Sequence, residues 1–226
     1  MAGLFSRIVT KTKQVFELLL SKARAIIESI NSWIKRVKRH KAYIGDIEAS
    51  TPTYEPEVVD VQLAEDLRRA IDSIAPEGLV AYMQRMTPEE RVQFIENRLL
   101  PLVAEKMNIN YDGLEWIEDE GRLCGYYSHS RKVIALNMAF VVTDSEKLLT
   151  VLSNTIIHEC KHARQWAAVD GADLGYSQQL IAEWKRNFDD YISPRESDEG
   201  YFKQPTEIDA SGFANSVIDE NVIFEN

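Results

Sequence analysis

The stretch Thr155-Ile-Ile-His158-Glu159-Cys160-Lys161-His162-Ala163-Arg164-Gln165 places two histidines four residues apart, with a glutamate directly after the first. On an α-helix, positions i and i+4 lie about 40° apart around the axis. The imidazoles of His158 and His162 therefore project from one face and can share a single ion. Zn2+ accepts neutral imidazole nitrogen, and three protein ligands leave a fourth position for water. Other divalent ions accept the same ligands. Glu159 stands about 100° round the helix from His158. From there it reaches a water on the ion rather than the ion itself, which is the position a general base needs. Half of the chain's four histidines stand in this motif.

A third ligand must come from elsewhere. Asp170, Asp173, Glu183, Glu207 and Asp209 all follow the motif. Glu207 is the choice on local grounds, because Pro205 sets it in the first turn of a helix. Ala210, Ser211 and Ala214 lie near it on the same face, so that helix can approach the motif helix closely. Asp209 is better placed to orient a histidine N–H than to bind the ion. An oxyanion donor is also needed. Tyr201, six residues before Glu207, is the first candidate, with Tyr176 and His129 behind it. Asn154 and Gln165 share the histidine face. Leu149, Leu152, Ile156, Cys160, Ala163 and Ala167 fall on the opposite face, so Cys160 reads as a small core residue. Lys161 and Arg164 read as solvated, and Trp184, Phe188 and Tyr191 as core packing.

The elements that must position these groups can be read from periodicity and punctuation. Helices are expected at about 60–74, 88–107, 144–168, 177–191 and 205–219. Thr87-Pro88-Glu89-Glu90 opens the second with an N-cap, a first-turn proline and acids. Short strands are expected at 113–116, 123–127 and 133–136, with 128–131 as the turn joining the last two. The expectation is an α+β fold, mainly helical with a small antiparallel sheet. A long amphipathic helix precedes it: Phe5, Val9, Thr12, Phe16, Leu19, Ala23, Ile26, Ile30, Trp33 and Val37 follow a 4-3 spacing. The expected organisation is a basic helix over 1–44, a linker over 45–59 marked by Pro52 and Pro56, and one domain over 60–226.

At this point the order of parts resembles the gluzincin branch of the zincin metallopeptidases. There an HExxH helix is followed by a second helix that supplies a glutamate. Glu207-Ile-Asp-Ala210-Ser-Gly-Phe213-Ala214 is similar to the E-x-x-A-x-x-F-A pattern of small bacterial and phage zinc peptidases, including those that cleave phage repressors. Tyr126-Tyr127 and Val133-Ile-Ala-Leu-Asn137 resemble their edge strand over the metal cleft, where a substrate backbone can add as a further strand. The resemblance covers about residues 110–220, and the stretch of about 170–203 between the two helices departs from it. It implies zinc-dependent peptide-bond hydrolysis: a metal-activated water, Glu159 as general base, and His158, His162 and Glu207 as ligands. Two other readings stand beside it. One is a non-catalytic zinc-bound structural or interaction module. The other is a membrane-targeted factor acting through its N-terminal helix.

Charge narrows the partners. The net charge is −10, yet residues 1–41 hold ten Lys and Arg against two Glu, about +8, which leaves about −18 on the rest. An acidic body is a poor match for phosphates, so no nucleic-acid partner is expected. A peptide or protein substrate is expected at the body. Membrane-surface contact or self-association is expected through residues 4–40. Two cysteines are too few for a disulfide framework. No apolar run approaches the ~20 residues of a membrane span. The run from Val15 to Leu20 is broken by Glu17 and lacks a cleavage site, so synthesis in the cytoplasm is expected, or export by a route without a cleavable signal.

Overall fold

Leu63, Ala64, Leu67 and Ile71 recur at helical spacing, and all four are buried on one face of helix α1, Val58–Ile74. The computed structural model describes residues 53–119 and 123–218. The expected helix over 4–40 lies outside the described residues, as does most of the expected linker. A short α2, Leu79–Gln84, follows α1. Next comes α3, Pro88–Phe94, opened by the expected capping box. The Thr87 hydroxyl accepts from the Glu90 N–H at 3.2 Å, and the Glu90 carboxylate accepts from the Thr87 N–H at 2.8 Å. One π-helical turn, Ile95–Leu99, carries the chain into α4, Leu100–Met107. The expected helix over 88–107 is thus continuous but widened just before Pro101. That ring cannot donate and would crowd the carbonyl four residues back, and a π turn relieves both.

Three strands follow: β1, Gly113–Ile117; β2, Gly125–Ser128; and β3, Val133–Asn137. β3 lies between the other two, antiparallel to β2 and parallel to β1. The α+β class is as expected, but the sheet is mixed rather than wholly antiparallel. The run Val133–Leu136 has no polar alternation, the pattern of a strand covered on both faces. It is accordingly the central strand, and β2 alone is the edge strand near the site.

Helix α5, Glu146–Val169, carries the motif; α6 spans Gln178–Asp189, α7 Asp198–Phe202 and α8 Pro205–Val217. The main core joins α1–α5, β3 and α8. A smaller one, Ala168, Leu174, Tyr176 and Trp184, lies under the stretch between α5 and α8. Among the described residues no helix is long and apolar enough to cross a membrane.

Candidate metal centre

Helix α5 is buried around most of its girth, and its most extensive contact is with α8. Ala210, Phe213 and Ala214 of α8 have no solvent exposure, so the small residues bring the two helices close. Pro205 is the first residue of α8 and sets Glu207 as its third. The result is a convergence of three side chains. The Nε2 atoms of His158 and His162 lie 3.0 Å apart. One Glu207 oxygen stands 3.2 Å from His158 Nε2, and the other stands 3.2 Å from His162 Nε2.

That spacing suits an ion. Donors at about 2.0–2.1 Å from a tetrahedral zinc stand about 3.3 Å from one another. Glu207 is 1% exposed, and its Oε2 has no hydrogen-bond partner among the described residues. A buried carboxylate oxygen without a donor is costly unless a cation meets it. Two imidazoles and one carboxylate form a donor set that zinc accepts. These are the three residues expected from the motif and from Pro205.

The electrostatics agree. Burial alone would raise the Glu207 carboxyl, but the neighbouring His162 and His158 outweigh it and hold it far below the usual range. Burial would lower the His162 imidazole, but Glu207 overrides it and carries it up to about 9 without metal. Glu159 lies beside this trio. Burial raises its carboxyl, opposed by the two histidines and by the backbone N–H of Tyr127 in β2. Gly125 permits that approach of β2 to α5. A Cβ there would fall 2.6 Å from the Ala135 carbonyl oxygen and 2.8 Å from Thr155 Cγ2.

Tyr201 lies beside Glu207, and burial followed by the Glu207 charge pushes its hydroxyl far upward. Tyr191 stands with it, and here the expectation of core packing fails. The residue is 40% exposed, and its hydroxyl donates to Glu207 Oε1 at 2.7 Å. The chain leaves α6 at Asp189, so helical spacing no longer governs where residue 191 points. Trp184 and Phe188 do pack as expected, Trp184 fully buried and Phe188 stacked on Trp166 at 4.1 Å.

Asp209 serves a histidine through an intermediary. His162 Nδ1 meets Gln165 Oε1 at 2.8 Å, and Gln165 Nε2 donates to Asp209 Oδ2 at 2.7 Å. Ser211 Oγ lies 3.4 Å from His158 Nδ1. Lys161 and Arg164 are not solvated: they are 0% and 5% exposed and bound to buried partners. Helical spacing alone put them outside, because the cover supplied by residues 170–203 is not visible in the period of α5. Asn154 bonds Asn215 at 2.7 Å. His129 stacks on Trp166 at 3.8 Å, and Tyr176 bonds Asp60 at 2.7 Å. Neither joins the trio, nor do Asp170, Asp173 and Glu183. Cys160 is buried in the core, and burial pushes both its thiol and that of Cys124 upward, the latter to about 12.

The chain matches no model of a known family, no characterised protein and no solved structure.

Proposed function

We propose that this chain is a zinc-dependent hydrolase that cleaves peptide bonds, with His158, His162 and Glu207 as ligands and Glu159 as general base. The observation that carries the reading is the meeting of two Nε2 atoms and a buried carboxylate at 3.0–3.2 Å beside a second buried carboxylate. Zinc held there supplies Lewis-acid polarisation of a carbonyl and acidifies water. Glu159, buried beside the trio, would be the group to take a proton from such a water and return it to the leaving amine. Its burial raises the carboxyl toward the range in which a base can do both. Tyr201, with Tyr191 next to it, offers a protonated hydroxyl to developing negative charge. Strand β2 stands at the sheet edge beside Glu159, where an extended backbone can lie.

A second reading is favoured by burial. The side chains of His158 and His162 are 13% and 11% exposed and that of Glu207 is 1% exposed. Zinc would then fasten α5 to α8 without turnover. One experiment separates the two: bound zinc by elemental analysis, together with hydrolysis of a mixed peptide library. For the hydrolase, Glu159→Gln keeps about one zinc per chain and loses activity by roughly 10²–10⁴-fold. Glu207→Ala loses both. Zinc kept by the wild type and by Glu159→Gln, lost in Glu207→Ala, with no cleavage by the wild type selects the structural reading, and no zinc in the wild type removes both.

A further inference from the structure

Lys161 stands between Cys160 and His162 in the motif and is fully buried. Its ammonium lies 2.7 Å from Asp60 Oδ1 in α1 and 3.3 Å from Asp209 Oδ2 in α8. Three rings surround it: Tyr176 at 4.7 Å, Phe213 at 4.9 Å and Trp184 at 5.4 Å from their centroids. Tyr176 accepts from the ammonium at 3.0 Å and donates to the same Asp60 oxygen at 2.7 Å. Removing an ammonium and two carboxylates from water is costly for each ion, and apolar residues of the same volume often give a more stable core. Such a cluster is best explained by what it orients.

The orientation is readable link by link. Gln165 is fully buried, and its Nε2 donates to both the Thr206 carbonyl at 3.0 Å and Asp209 Oδ2 at 2.7 Å. With both amide protons committed, Oε1 is the only atom that Gln165 can turn to His162. It meets Nδ1 at 2.8 Å, so Nδ1 carries the proton and Nε2 keeps its lone pair for the ion. Asp209 sits where Gln165 needs it because Lys161 holds it there. Without that cation, Asp60 and Asp209 would be two buried like charges with nothing between them. Their separation would leave Gln165 held by Thr206 alone and free to turn its NH₂ toward His162.

We propose that Lys161 is a positioning residue for the metal centre, acting through Asp209 and Gln165 to set the tautomer and direction of His162. The chain of contacts runs from α1 through α5 and α8 to a ligand. It gives residues 170–203 a task, since Tyr176 and Trp184 form most of the cage. The proposal rests on the zinc reading above and goes beyond it.

The test uses the full chain and zinc alone as probe. Zinc dissociation constants come from competition with a chromophoric chelator, and the His162 tautomer comes from long-range ¹H–¹⁵N correlation spectra of the metal-free chain above pH 9, where the ring is neutral. Lys161→Met and Gln165→Leu are each expected to weaken zinc by roughly 10–100-fold. The single Nδ1–H signature of His162 should also give way to a mixture. A role in stability alone would lower Tm and leave both readouts unchanged in the folded variants, which overturns the proposal. Loss confined to Gln165→Leu removes Lys161 from the chain of contacts. Should Lys161→Met fail to fold, Asp209→Leu replaces it by breaking the same chain of contacts at its next link, and wild-type affinity with an unmixed tautomer in that variant overturns the proposal. A wild type without zinc fails the zinc reading itself, whereas a wild type that binds alongside unaffected variants fails only this inference.

Discussion

At the scale of single residues, the candidate metal centre is a balance between burial and pairing. His162 would lose its charge to burial alone, but Glu207 holds it up to about 9 against an ordinary 6.5. In the metal-free chain that pair contributes stability fully present below 6.5 and lost as pH rises through about 9. Zinc accepts only the neutral imidazole, so binding must expel the proton. Apparent zinc affinity is therefore expected to rise about tenfold per pH unit toward 9. Binding at pH 7.5 should release about one proton or more, read from titrations in buffers of different ionisation enthalpy. A flat affinity between pH 6.5 and 8.5 would show that His162 does not carry this proton. HExxH made His158, Glu159 and His162 legible without a structure, since i and i+4 share a face in any α-helix. Tyr191 was not legible, because it follows the end of α6, where no period applies.

At the scale of elements, α8 decides whether the candidate ligands meet. Its small residues were readable as a close-packing face, and Ala210 and Ala214 are indeed fully buried. Gly212 faces another way and has a partner that no local pattern announces. The Tyr54 ring lies over it, so a Cβ at 212 would fall 2.1 Å from Tyr54 Cγ. Alanine in a helix interior gains about 1 kcal/mol over glycine. Displacing a half-buried aromatic ring forfeits roughly 1.5–3 kcal/mol. Gly212→Ala is thus expected to destabilise the chain by about 1 kcal/mol in urea unfolding. In a Tyr54→Ala background the same change should stabilise by about 1 kcal/mol. Destabilisation of equal size in both backgrounds would rule out the Tyr54 contact as its cause.

At the scale of the whole molecule, one buried arginine fastens the helical half to the start of α5. Arg91 is fully buried. It donates to the Met83 carbonyl at 2.7 Å, to the Val141 carbonyl at 2.9 Å and to the Thr143 carbonyl, and it meets Asp144 Oδ1 at 2.6 Å. The Asp144 side chain is 88% exposed and can return to water, but the carbonyls cannot. Arg91→Met is expected to cost about 3 kcal/mol, from acceptors left without donors. Because Arg91 touches no residue of the metal centre, zinc per folded chain should stay at the wild-type level. Loss of zinc with stability unchanged would mean that Arg91 acts on the site directly.

What the sequence determined by itself was local: helix starts set by Thr87 and Pro205, the face shared by His158 and His162, and the first-turn placement of Glu207. Each depends on the chain within a few residues, where backbone geometry fixes direction. It also indicated a strand at 133–136, though not that this would be the central strand or that β1 would lie parallel to it. The tertiary structure alone decided the rest. Burial of Lys161 depends on rings at 176, 184 and 213 and on Asp60, a hundred residues away. The tautomer of His162 depends on which atoms of Gln165 are already occupied by α8. Such outcomes follow from which surfaces exclude water from one another, and periodicity along one element carries no record of its neighbours.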